Sequence, residues 1–241
     1  MAVEIWAHRG NSFQFPENTM EAFASALALG ADGLELDVHF TSDQQIVVTH
    51  DESIERVSNG CGRVVDQTLA QLRSYNFHKT KPESVQMAKI PLLAEVLELV
   101  KPTQAMINIE IKSGIVLYEG IEKAVWALVR DFGMQDRVLY SSFNHFSLTT
   151  LKQIDSHTKI GLLYSEAMVD PALYAKHVQA EAIHPFFPTC FAPGVMEGCG
   201  VEHIDVNPWT VDDAEMMRSL QKLGVHAIIT NDPSLALSVL R

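Results

Sequence analysis

Glu35-Leu36-Asp37 carries two carboxylates two residues apart, a spacing that puts both on one face of a β-strand. Leu34, Leu36 and Val38 surround them, so like charges are packed near an apolar core, which is costly unless a cation or protons offset them. A divalent metal ion meets that need. Glu110, in Asn108-Ile109-Glu110-Ile111-Lys112, offers a third carboxylate from a neighbouring strand. Three oxygens, with water or substrate completing the sphere, suit Mg²⁺ or Ca²⁺ better than zinc. The alternative is a structural carboxylate network closed by Arg9 and Lys112.

His8 ends the first β-prone run, in Ala7-His8-Arg9-Gly10, and His50 precedes Asp51. Imidazoles titrate near neutrality, so two of them facing each other across a substrate can serve as base and acid in one cycle. Arg9, a planar fork, and Lys112, a point charge, are the local cations a phosphate needs in an acidic protein; either is equally able to pair with the carboxylates. His39, His78, His145, His157, His177, His184, His203 and His226 read as hydrogen-bonded structural residues, with His184, on a strand end, closest to a functional position.

The elements that must position these groups follow from periodicity. Short β-prone runs, each followed by a helix-like stretch, occur at Val3–Ala7, Gly33–Val38, Ala105–Ile111, Arg137–Ser141, Lys159–Leu163, Glu181–His184, His203–Asn207 and His226–Ile229. Eight such units predict a (β/α)8 TIM barrel, whose catalytic groups stand at the C-terminal ends of the strands. The first helix starts after Pro16-Glu17-Asn18-Thr19, with Asn18 and Glu21 as a capping-box-like start, and stops at Gly30; further stops fall at Gly133 and Gly224.

Gln45–Thr49 follows the second strand too closely for a crossover helix and is read as the return of a hairpin. A two-residue turn at Asp43-Gln44 would set Asp37 opposite His50 and His39 opposite Val48. Residues 52–90, including Asn59-Gly60 and the polar stretch His78–Glu83, predict a lobe inserted over the barrel mouth before a helix at about Pro91–Val100. The chain is thus read as one barrel domain over residues 1–241 with that insertion.

Among 241 residues, 47% are hydrophobic and 20% charged, a globular composition without long disorder. A net charge of -12 argues against nucleic acid and anionic membrane surfaces as partners. No stretch reaches the roughly 18 apolar residues of a membrane span, so stable membrane insertion is not expected. Met1–Arg9 lacks the pattern of a signal peptide, and Cys61, Cys190 and Cys199 have neither CxxC nor zinc spacing. These features predict a cytoplasmic location. Nothing in the sequence sets the oligomeric state.

At its functional positions the sequence resembles the glycerophosphodiester phosphodiesterase family: His8-Arg9-Gly10, Pro16-Glu17-Asn18-Thr19, Glu35-x-Asp37, His50-Asp51 and Glu110-x-Lys112 occur in order. Ser141-Ser142-Phe143, Asn207-Pro208-Trp209-Thr210-Val211 and Thr230-Asn231-Asp232-Pro233 fit its later strand ends. The resemblance implies a metal-dependent hydrolysis of a small glycerophosphodiester to sn-glycerol 3-phosphate and an alcohol such as choline or ethanolamine. It makes His8 and His50 the general acid/base pair, Glu35, Asp37 and Glu110 the metal ligands, Arg9 and Lys112 phosphate contacts, and Trp209 a pocket wall. Attack by water or by the glycerol 2-hydroxyl, through a cyclic phosphate as in phosphatidylinositol-specific phospholipase C, both stay open. So do a lyase-type relative and a non-catalytic phosphometabolite-binding barrel. The sequence departs from the family pattern at Gln44, where glycine is usual, and at Asp212, where asparagine is common.

Overall fold

The computed structural model describes residues 2–241. Eight parallel strands form the barrel: β1 (Glu4–His8), β2 (Gly33–Phe40), β4 (Met106–Ile111), β5 (Val138–Ser142), β6 (Ile160–Tyr164), β7 (Ala182–Pro185), β8 (Asp205–Val206) and β9 (Ala227–Thr230); β3 (Ile46–Val48) pairs antiparallel with β2. β9 returns to pair with β1. The remaining seam, between β8 and β9, is bridged by His226 N–H donating to the Val206 carbonyl at 3.0 Å and Ile229 N–H to that of Pro208 at 3.0 Å. Each expected strand is present to within two residues of its expected ends.

Helices α1 (Met20–Leu29), α3 (Leu93–Val100), α4 (Ile121–Phe132), α5 (His145–Ile154), α6 (Pro171–His177), α7 (Val195–Glu202), α8 (Ala214–Leu223) and α9 (Pro233–Leu240) surround the barrel; the short α2 (Leu69–Leu72) lies in the lobe. The main core fills the space between strands and helices, with Leu34, Leu36 and Val38 of β2 pointing into it. That leaves Glu35 and Asp37 facing the barrel axis. Helices α1, α4 and α8 stop where expected, at left-handed Gly30, Gly133 and Gly224.

Two local readings are corrected. The cap of α1 is Thr19, whose hydroxyl accepts from Ala22 N–H, not Asn18. Asn18 instead takes a left-handed φ of 56° and donates its amide to Asp37 Oδ2 at 2.8 Å. The hairpin register is shifted by one residue: Val38 faces Val48 and His39 faces Val47, and Thr49 N–H donates to the Asp37 carbonyl at 3.1 Å. His50 therefore does not face Asp37. The loop is longer than expected, because Thr41 and Gln45 close it and Gln44 occupies the left-handed position at φ 59°. A glutamine there carries a steric penalty that glycine lacks. Gln44→Gly is expected to raise stability by about 0.5–1 kcal/mol, or about 1–4 °C in Tm, as read by calorimetry.

The segment 52–90 has a core of its own, made of Val47, Ile54, Val57, Val64, Leu72, Phe77, Ala88 and Ile90. Strand β3 is a wall shared by two cores: Val47 faces the lobe and Val48 the barrel. The three cysteines are unpaired, Cys61 exposed and the other two buried. Among the described residues, no helix is long and apolar enough to cross a membrane.

Candidate active site

Strand register brings the predicted groups together. His8 pairs with Glu35, and Glu35 with Asn108, across β1, β2 and β4; Asp37 pairs with Glu110 on the next inward row. The ligand oxygens of Glu35, Asp37 and Glu110 lie within 4.8 Å of one another, and all three residues are buried. Burial, and then the charges of Asp37 and Glu110, push the Glu35 carboxyl well up. Burial, and then Asp37, push Glu110 up to about 7. Asp37 goes the other way: against burial, Arg9, its neighbours His50 and Lys112, and the Asn18 amide hold its carboxyl down. Its Oδ1 is buried without a hydrogen-bond partner. Two carboxyls that hold their protons upward beside a third that stays ionised, with one buried oxygen of the third left unanswered, fit a hard divalent cation.

His8 and His50 line the same cleft as Glu35 and Glu110. His8 Nδ1 lies 2.7 Å from Asn231 Oδ1, and the Asn231 amide group is turned that way because its Nδ2 donates to Asp212 Oδ2 at 2.6 Å. An amide oxygen only accepts, so the His8 proton sits on Nδ1 and its Nε2 is an open base, 3.9 Å from Glu35 Oε2. Burial, and then Arg9, lower the His8 pKa to about 4, which keeps it neutral. His50 Nδ1 lies 2.6 Å from Asp51 Oδ1, and Lys112 Nζ is 3.2 Å from His50 Nε2. The His50 carbonyl also accepts from buried His39 at 3.1 Å, which fixes the backbone where the hairpin ends.

Arg9 stands on the turn after β1 at φ 58°; its backbone N–H donates to Glu35 at 3.0 Å. Gly10, at φ 79°, lets this turn pass against α1, since a Cβ there would lie 2.6 Å from the Ala22 carbonyl carbon. The Arg9 side chain is held by Glu17 at 2.8 Å and lies 3.5 Å from Asp37. Lys112 Nζ is 2.8 Å from Glu110 and 3.8 Å from Asp37. Both cations are thus paired with carboxylates; Arg9 lines the cleft, and Lys112 contacts two of its lining residues, Glu110 and His50.

The cleft is lined by residues of two kinds. Its polar lining is His8, Arg9, Glu35, His50, Asn108 and Glu110, and its apolar lining is Phe143, Leu163, Trp209 and Ile229. Trp209 spends its indole N–H on the His184 carbonyl at 2.7 Å and packs edge-on against Phe143 at 5.5 Å, so it offers a ring rather than a donor. A wider hollow at Met20, Arg73, Lys89 and Glu95 holds the Arg73–Glu95 ion pair but no histidine. His184 is buried inside the barrel, 3.1 Å from Asn207 Nδ2, as a structural acceptor.

A model of the glycerophosphoryl diester phosphodiesterase family matches residues 8–235. The chain belongs to this family. A glycerophosphodiester phosphodiesterase of Caldanaerobacter subterraneus subsp. tengcongensis is 43% identical over 100% of this chain and 99% of the relative. One from Bacillus altitudinis is 38% identical over 98% of each. An Oleispira antarctica phosphodiesterase, solved with the product sn-glycerol-3-phosphate, superposes with a TM-score of 0.90 at 26% identity, covering 99% of this chain and 96% of that one. The chain is therefore an enzyme, a phosphoric diester hydrolase that acts on glycerophosphodiesters.

Within this glycerophosphodiester phosphodiesterase site, some participants had a readable motif but no readable purpose. Asn231 and Asp212 form the relay behind His8, with Asp212 also accepting from Asn231 N–H at 2.8 Å and Thr230 Oγ1 at 3.0 Å. The departure to aspartate at 212 thus has a structural use, because a carboxylate accepts all three bonds. Arg56 carried no signal at all, since its partners come from distant segments.

Proposed function

We propose that the enzyme hydrolyses its substrate with a divalent cation, Mg²⁺ or Ca²⁺, held by Glu35, Asp37 and Glu110, and with His8 and His50 as base and acid. The observation that carries this reading is the buried carboxylate trio in a cleft that it shares with two imidazoles whose Nδ1 atoms are both engaged. A bound cation would supply Lewis-acid stabilisation of charge on the phosphoryl oxygens. Arg9 and Lys112 add positive charge on the same side and orient the diester. Neutral His8 takes the proton from the attacking oxygen through its open Nε2. His50, its Nδ1 held by Asp51, is the acid: Lys112 donates to its Nε2 at 3.2 Å, and with Lys112 drawn to the substrate phosphate Nε2 takes up the proton that it gives to the departing alcohol. Trp209 and Phe143 border the glycerol or its leaving group.

The products under this reading are sn-glycerol 3-phosphate and an alcohol, in line with the product found in the Oleispira antarctica structure. Three unpaired thiols are in keeping with a reducing cytoplasm. The test is turnover of glycerophosphocholine, glycerophosphoethanolamine and glycerophosphoinositol with Mg²⁺, Ca²⁺ or chelator, followed by phosphorus NMR. A monoester signal at sn-glycerol 3-phosphate is expected with metal. A persistent cyclic phosphate as the end product would overturn the hydrolytic outcome.

A further inference from the structure

Arg56 belongs to the inserted lobe, where its neighbours Ile54 and Val57 are buried in the lobe core. Its guanidinium engages two carboxylates at once. Nε and Nη2 donate to Asp51 Oδ2 at 2.6 Å and Oδ1 at 3.2 Å, while Nη1 and Nη2 donate to Glu17 Oε2 at 2.7 Å and Oε1 at 2.8 Å. Asp51 is the partner of His50 Nδ1, and Glu17 is the partner of Arg9 Nη1. The side chains thus run Arg9, Glu17, Arg56, Asp51, His50 without a gap, from the turn after β1 to the end of the hairpin.

We propose that Arg56 is a positioning residue that sets the His50 imidazole and the Arg9 guanidinium against each other through Asp51 and Glu17. It rests on the roles proposed above for those two groups. An ordinary surface ion pair contributes little because two flexible side chains must be held in one geometry. Here four donor contacts from one planar group fix both carboxylates, and their other oxygens or edges are already committed to the site. Lysine has no such fork and can satisfy only part of the arrangement. Asp51 illustrates the coupling: against burial, Arg56 and His50 draw its carboxyl down to about 2, so it stays an acceptor for His50 throughout the working range.

The test is kcat and KM on glycerophosphocholine at saturating metal for wild type, Arg56→Ala, Arg56→Lys, Asp51→Asn, the Asp51→Asn/Arg56→Ala double variant and His50→Ala. Arg56→Ala is expected to lose about 10–100-fold in kcat/KM, the usual cost of removing a group that orients a working residue. Part of the loss falls on kcat, through Asp51 and His50, and part on KM, through Glu17 and Arg9. Arg56→Lys recovers only a fraction. Removing Arg56 from the Asp51→Asn protein costs far less than removing it from wild type, because the two share one path. Millimolar guanidinium chloride, entering the half-exposed site, restores Arg56→Ala where sodium chloride at equal ionic strength does not. Wild-type kcat and KM in Arg56→Ala, beside an inactive His50→Ala, overturn the proposal. A loss that is additive with Asp51→Asn and untouched by guanidinium marks a merely structural lobe residue and overturns it too. An active His50→Ala protein overturns the acid/base reading itself, and the proposal with it.

Discussion

Glu35→Gln or Asp37→Asn is expected to lower turnover by about 10²–10⁴-fold, because several kcal/mol of charge stabilisation are lost with the cation. Chelator should do the same to wild type, reversibly. The physical basis is the crowding of three buried carboxylates within 4.8 Å. Without a cation, Glu110 keeps its proton up to about 7 in the folded state, whereas an unfolded glutamate loses it near 4.5. The folded chain therefore binds more protons between those values, so this group's contribution to stability is lost as pH rises through the window. A cation replaces the proton. Metal at about a hundred times its Kd for pH 8 should accordingly raise Tm by about 5–10 °C at that pH, and the same concentration should raise it less at pH 5, where protons compete for the site. Full activity in excess chelator, or a Tm indifferent to metal at pH 8, would sink the assignment.

His8→Ala and His50→Ala are each expected to cost about 10²–10⁴-fold in kcat, the usual worth of a positioned proton transfer, with smaller effects on KM. The two losses should respond differently to the leaving group. An alcohol as acidic as p-nitrophenol scarcely needs a proton, so a p-nitrophenyl diester should rescue His50→Ala and leave His8→Ala slow. Under the proposed mechanism the relay from Asp212 through Asn231 would give His8 the basic role, since it fixes the proton on Nδ1. The rate against pH should be bell-shaped, and its rising limb should lie below neutrality because burial and Arg9 lower His8 to about 4. Rescue of the opposite variant would exchange the two roles; near-normal turnover by both would remove the mechanism.

The barrel was legible because its strands are short, β-branched and bounded by turn residues, and because Glu35, Asp37 and Glu110 interrupt apolar runs at inward positions. Register was harder. A hairpin loop one residue longer than the shortest turn moves every cross-strand partner, and Gln44 in the left-handed position gives no glycine to mark it. Asn18 was misplaced for a related reason: asparagine is a good helix cap and also a good donor to a buried carboxylate, and only the fold decides between Thr19 and Asn18. Longer-range roles, such as those of Arg56 and Asp212, depend on side chains from segments that meet only after folding.

The shared wall at β3 has one more consequence. His50, Asp51 and Arg56 hang from the small cluster around Val47 and Ile54, whereas the carboxylate trio belongs to the barrel. Small satellite cores open more often than large ones, in cooperative units visible by amide hydrogen exchange. Under the proposed roles, opening of that cluster would withdraw one half of the proton-transfer pair while the barrel stays intact, so activity is expected to be lost on heating below the temperature of global melting and to return on cooling without refolding of the barrel.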